Sequence, residues 1–333
     1  MAGRIDPATK LLTDLKTAAD SSTTKDLFAA VESALQSKLS LVVEQAAILV
    51  RERELNVDVR LLLDAYQRLL VLPEDGHQSI EDKNCRAKLP LVESLHALQY
   101  DDPDFYSTGL QYVQWEPAWP ENQETACNLR GAHAFALVSS QLASPHETLM
   151  KLIDLLFDKT VSARIHAAAA IGQLGHPGSA AVMKIAILQD SNSPDVVEEC
   201  FRSLLRNDVN SLDFVASYLE SDRLCIEAAA SLTEFGSAEG VAFVTAKAQQ
   251  AGGDFQEALF VTLGVSRHAD ALDFLIRNIR HQGGTAQYAI KALASKRFYP
   301  DVVRRVKSAV SAADDEFLWD VFRKVFGDDT GSD

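Results

Sequence analysis

A short apolar pattern returns five times in the second half of this 333-residue chain, at a nearly fixed interval. The blocks are ARIHAAAAIGQLG (163–175), VVEECFRSLLRND (196–208), LCIEAAASLTEFG (224–236), FQEALFVTLGVSR (255–267) and TAQYAIKALASKR (285–297). Their starts lie 33, 28, 31 and 30 residues apart. Such a period marks a chain built from one supersecondary unit used repeatedly. Position 9 of the blocks is Ile171, Leu204, Leu232, Leu263 and Leu293, and position 5 is Ala167, Cys200, Ala228, Leu259 and Ala289. Positions 5, 6 and 9 fall on one face of a helix at about 100° per residue, so each block reads as a helix with one buried stripe.

Second amphipathic segments lie between the blocks, at 145–157, 178–189, 209–220, 238–250, 268–281 and 300–311. Pro145, Pro194 and Pro300 stand where helices begin, because proline at the first helical position sacrifices no intrahelical donor. Gly175 and Gly236 stand where a left-handed C-terminal cap is expected. Gly252-Gly253 and Gly283-Gly284 separate the two helices of a pair. No alternating β-branched run is present, so no strand is expected. The unit is a helix hairpin of roughly 30 residues, which cannot bury its own apolar face and must stack on its neighbours.

The frame extends upstream. AKLPLVESLHALQ (87–99) and LRGAHAFALVSSQ (129–141) place Leu95 and Leu137 at position 9. The step from Leu137 to Ile171 is 34 residues, but that from Leu95 to Leu137 is 42, and the excess is the insertion QYVQWEPAWPENQETA at 111–126. Before residue 80 helices are expected near 7–19, 24–37, 39–54 and 56–72, with a weak repeat. The expected organisation is an irregular helical region over 1–80, a repeat region over 81–327, and a disordered acidic tail over 328–333. PEDGHQSIED at 73–82 reads as a flexible joint.

The segment DKTVSARIHAAAAIGQLG (158–175) resembles the HEAT-repeat family, whose second helix opens with Asp and Val-Arg, continues in alanines and ends Leu-Gly. Asp158, Val161, Arg164, Ala167, Ala168, Leu174 and Gly175 carry the likeness, with one extra residue between Val161 and Arg164. The repeats are short, like those first described in phycobilisome lyases. The resemblance covers roughly 81–326 and implies an all-α, right-handed α-solenoid of roughly eight or nine antiparallel helix pairs. Other blocks lose the Asp and Arg, which leaves open how they are hydrogen-bonded to each other.

The formal net charge is −15 and the pI about 5.0. Such a surface repels nucleic-acid phosphate and anionic lipid. Cys85, Cys127, Cys200 and Cys225 are scattered without a CxxC pair, as expected of reduced, mostly buried thiols. The start, MAGRIDPATKLLTDL, has no apolar core of a secretory signal. The most apolar stretch, Leu39 to Val50, is broken by Glu44 and Gln45 and falls short of the ~20 residues that span a bilayer. A cytoplasmic protein with no membrane and no nucleic-acid partner is expected.

If positions 5, 6 and 9 face inward, positions 4, 7 and 11 face outward, and in a HEAT-like stack that face lines the concave surface. The stripe contains His166, Glu199, Arg202, Glu227, Glu234, Tyr288 and Lys291 around an apolar centre of Ala258, Val261 and Val265. Trp319 and Phe322 extend it into the last helix, EFLWDVFRKVF (316–326), whose second apolar face suggests self-association. Trp115 and Trp119, with Pro117 and Pro120, make the insertion a further contact candidate.

Catalytic signatures are absent from the sequence. A single His146-Glu147 dipeptide cannot supply the several His-Glu ligands of the di-iron deoxyhypusine hydroxylases. Gly172, Gly175 and Gly178 lack the following Lys-Ser/Thr of a phosphate loop, and no GxSxG occurs. Lys296, Arg297, Arg304, Arg305 and Lys307 form one local basic cluster, too little against −15 for a HEAT-like DNA glycosylase groove. The expectation is therefore a non-catalytic scaffold, without cofactor or metal, that binds another protein. The phycobilisome-lyase likeness implies the alternative of cofactor attachment or chaperoning.

Overall fold

A computed structural model of the chain describes residues 7–20, 24–70, 82–189, 193–280 and 283–327. The expected joint at 73–82, apart from Asp82, and the 328–333 tail lie outside these residues. Among the described residues the protein is all-α, with nineteen α-helices and one two-stranded ribbon. No described helix is long and apolar enough to cross a membrane. The chain forms two compact units, 1–176 and 177–333.

The first unit holds α1 (Pro7–Asp20), α2 (Thr24–Leu35), α3 (Ser40–Glu52), α4 (Val59–Leu70), α5 (Lys88–Ala97), α6 (Pro103–Gly109), α7 (Cys127–Ser139), α8 (Pro145–Leu156) and α9 (Val161–Leu174). A backbone of contacts runs α3 to α5 to α7 to α9, with α4 on α5, α6 on α7 and α8 on α9. Positions 5, 6 and 9 of the two upstream blocks, Leu91, Val92 and Leu95, then His133, Ala134 and Leu137, are all buried. Burying a side chain of leucine size contributes about 1.5–3 kcal/mol. The insertion departs from the strand-free expectation. Trp115–Glu116 (β1) pairs antiparallel with Gln123–Glu124 (β2), with Trp115 opposite Glu124. Two residues per strand give no alternation to read, which is why the sequence pattern is silent there.

The second unit holds α10 (Ser179–Leu188), α11 (Pro194–Asn207), α12 (Leu212–Ser217), α13 (Cys225–Phe235), α14 (Ala238–Gln250), α15 (Gly253–Val265), α16 (Ala269–Arg280), α17 (Ala286–Ala292), α18 (Pro300–Ala313) and α19 (Glu316–Phe326). One series of contacts joins α11, α13, α15, α17 and α19, and a second joins α12, α14, α16 and α18. Each member of the second series also packs on the next member of the first. Cys200, Phe201, Leu204, Ala228, Ala229, Leu232, Leu259, Phe260, Leu263, Ala289, Ile290 and Leu293 are all fully buried. Pro145, Pro194 and Pro300 each open a helix. Gly175 and Gly236 close α9 and α13 in the left-handed conformation, at φ 62° and 73°, where a side chain would be strained.

Hydrogen bonds between successive helices do not need the Asp and Arg of the 158–175 motif. Ser231 Oγ donates to the carbonyl of Glu198 at 3.3 Å, Ser266 Oγ to that of Thr233 at 3.1 Å, and Ser295 Oγ to that of Gly264 at 3.2 Å. Lys296 Nζ reaches the carbonyl of Ser266 at 2.8 Å. The donor and acceptor are 33, 33, 31 and 30 residues apart, so these bonds follow the repeat period.

Candidate functional site

The β1–β2 hairpin is fastened to the helices by buried charge. The Arg130 side chain, on α7, is only 2% exposed. Its Nη1 donates to the Tyr112 carbonyl at 2.9 Å, and its Nη2 to Glu124 at 2.9 Å, Asp158 at 3.1 Å and Thr160 Oγ1 at 3.2 Å. One guanidinium thus joins the hairpin to the α8–α9 turn. A second pair lies beside it. Lys88 and Asp82, 1% and 0% exposed, meet at 3.1 Å, and the Lys88 ammonium stands 5.6 Å from the Tyr112 ring centroid. Asp82 also accepts from the amides of Ala87 and Lys88. Glu116 is buried under the ribbon. Burial alone would raise its carboxyl, but donors on Thr125, Gln114 and the Asn84 amide hold it below the usual glutamate range. Cys85, in the same cluster, is pushed up to about 12 by burial, so its thiol is inert at neutral pH.

The hairpin carries Trp119 into solvent, 95% exposed, and leaves Trp115 49% exposed. Trp119 therefore does not fold back on the helices.

The outward stripe is distributed over both units. In the second unit Val261 and Val265 on α15 are 49% and 57% exposed, with Ala258 half-buried beside them on the same helix. Arg202 on α11 reaches Glu234 on α13 at 2.7 Å and is also held by Glu198 and Glu199. Lys291 on α17 pairs with Glu257 on α15 at 2.9 Å and lies over the Tyr288 ring. Glu227 is half-buried. Much of the stripe's charge is therefore already spent between neighbouring helices, and the two valines are its free apolar part.

The last helix corrects the expected register. Phe322 is 2% exposed and belongs to the core, with Leu318 and Val321. In the repeat frame the buried positions 5 and 9 of α19 would be Asp320 and Lys324. Burying unpaired charge is costly, so the helix turns to bury 318, 321 and 322 instead. Phe322 is therefore not a contact residue. Trp319 is half-buried at 5.7 Å from the Phe322 ring, and Phe317 is 56% exposed.

In the first unit His166, on α9, lines an open cleft of about 600 Å³ formed with α3, α5 and α7. Its ring stands edge-on to Phe135, at 6.1 Å between centroids. His133 lies deeper, fully buried, with Nε2 at 3.0 Å from the Tyr66 hydroxyl. Burial lowers its imidazole from 6.5 to about 4. The imidazole is thus neutral in the folded protein while the unfolded chain binds a proton between pH 6.5 and 4. Stability should fall as pH drops through that window, by about 2 kcal/mol from this group at pH 5. The urea midpoint is expected to decrease between pH 7.5 and 5, with a smaller decrease in His133→Phe. Equal pH dependence in the two proteins would refute the assignment.

Three of the five members of the basic cluster are engaged within the chain. Arg304 pairs with Asp301, Arg305 with Asp273, and Lys296 binds a carbonyl. Cys85, Cys127, Cys200 and Cys225 are free thiols. Among the described residues, no group of three or more His, Cys, Asp or Glu side chains is placed to hold a metal ion.

The charged network at the hairpin base escaped the sequence reading, although a signal existed. Lys88 and Arg130 both occupy position 2 of their blocks, which shares the inward face with positions 5 and 9. A cation on an inward face requires a buried anion. Which carboxylates answer it, Asp82, Glu124 and Asp158, depends on the fold.

No protein-family model matches the chain, and no curated protein matches it.

Proposed function

We propose that the chain is a non-catalytic scaffold of HEAT-like helical repeats, stacked as a solenoid, that recognises another protein. The near-neighbour packing of the helices and the repeat-spaced serine-to-carbonyl bonds support the repeat reading. The exposed Trp119 on a hairpin pinned by buried Arg130 supports the binding role. A large aromatic held out in water by a rigid base forgoes its own burial energy, and it is preorganised to regain that energy against a partner. Trp115 flanks it, and Val261 and Val265 offer a second contact on the other unit. The acidic balance of −15 argues against nucleic acid and anionic membrane as the partner.

Trp119→Ala tests this reading. Removing an exposed side chain should change stability by no more than about 0.5 kcal/mol, so the melting curve should overlay that of the wild type. Recovery of the copurifying protein from native lysate should drop at least tenfold, an anchor effect of about 1.4 kcal/mol or more. An unchanged set and amount of copurifying proteins would remove the hairpin as the contact.

A further inference from the structure

We propose that the cleft between α3, α5, α7 and α9 binds a small, uncharged, largely apolar molecule that offers a carbonyl or amide oxygen to Nε2 of His166. The volume, about 600 Å³, lies within the usual range of small-molecule sites, which are mostly apolar with a few orienting polar groups. Local sequence makes the hollow. Gly131 and Ala132 occupy positions 3 and 4 of the α7 block, where the α9 block has Ile165 and His166. With Ala97 they line a space that larger side chains would fill.

The hydrogen-bonding character follows from the histidine. One edge of the His166 ring is pressed on Gly131, where a Cβ would meet Cγ and Nδ1 at 2.5 Å. Nδ1 is buried there with no hydrogen-bond partner. Stranding a buried N–H is the rarer and costlier arrangement than stranding a lone pair, so the proton belongs on Nε2. Nε2 is the nitrogen left to face the cleft, and it presents a donor. Burial lowers the imidazoles of both His166 and His96, another lining residue, so neither adds a positive charge near neutral pH.

The remaining lining charges, Arg51 and Glu93, are paired with each other. An anionic or cationic ligand would have to compete with that pairing, and an anion would also meet the negative field of the chain. Phe135 supplies a flat apolar wall. These features select an uncharged acceptor over a charged one. The site is separate from the tryptophan hairpin, so its failure and that of the scaffold reading are distinguishable.

Nile red, an uncharged apolar dye with a carbonyl oxygen, is the probe. Titrated into the full chain at pH 7.5, it should saturate at one dye per chain with blue-shifted fluorescence. Ala132→Trp, which fills the cleft, should weaken binding more than tenfold. His166→Phe, which keeps a ring and removes the donor, should weaken it about tenfold. The sulfonated dye 1-anilinonaphthalene-8-sulfonate should bind at least tenfold more weakly than Nile red. A second reading needs no core variant. In the wild type, the Nε2 resonance of His166 in a long-range ¹H–¹⁵N spectrum should shift as dye is added. Absence of saturation, full affinity in Ala132→Trp, or an unmoved His166 resonance overturns the proposal.

Discussion

Arg130→Ala should lower the stability of the first unit by about 3–5 kcal/mol, the range for removing one partner of a buried ion pair. The substitution takes the countercharge from two carboxylates, which keep only neutral donors from Gln114, Ala126 and Thr160, and the donor from one carbonyl. Glu124 is 8% exposed and Asp158 20% exposed, and the Tyr112 carbonyl loses its donor. The loss should appear as a lower urea midpoint. It should also appear as a local effect, because Arg130 is the joint between the hairpin and the α8–α9 turn. Amide exchange over residues 112–126 should accelerate at least tenfold under conditions where α11 to α19 exchange as in the wild type. Arg130→Lys keeps the charge but lacks the planar fork that serves several acceptors, so it should fall between the two. Wild-type stability and exchange in Arg130→Ala would mean that the network neither holds the hairpin nor stabilises the unit.

Gly264→Ala should destabilise the second unit, by less than Arg130→Ala destabilises the first. Here α15 and α17 approach so closely that a Cβ on Gly264 would stand 2.1 Å from the Ala292 carbonyl oxygen and 2.7 Å from its carbon. Both are backbone atoms, so no rotamer change relieves the clash and the helices must separate. Overpacking of this kind costs about 1–3 kcal/mol, occasionally more. Separation also stretches the bond from Ser295 Oγ to the Gly264 carbonyl. The thermal midpoint should fall by about 2–12 °C, given the usual scaling for a unit of this size. Gly252→Ala is the control, since nothing lies within 4 Å of its added methyl. Equal midpoints for the two variants would show that the α15–α17 contact yields easily.

The helices and their inward faces were legible because both rest on local periodicity. The stripe at positions 5, 6 and 9 is buried in every block from 87–99 to 285–297. Prolines and glycines marked helix ends through backbone geometry alone, as at Pro194 and Gly236. The last helix shows the limit of a repeat template, since a charged residue at an inward position overrides the register and takes Phe322 into the core.

Other features depend on residues distant in sequence. Arg130 meets Asp158 across 28 residues, and the Tyr66 hydroxyl meets His133 across 67. A spacing pattern reports which face a side chain occupies but not which partner the opposite face brings to it. The cleft beside His166 has the same origin, since α3, α5, α7 and α9 each contribute to its lining. The sequence by itself determined the helices, their ends and their buried stripes, through the 3.6-residue period and local backbone sterics. Tertiary structure alone decided how the buried cations are neutralised, where the hollow lies and that Trp119 stands in water, because each depends on packing between separate helices.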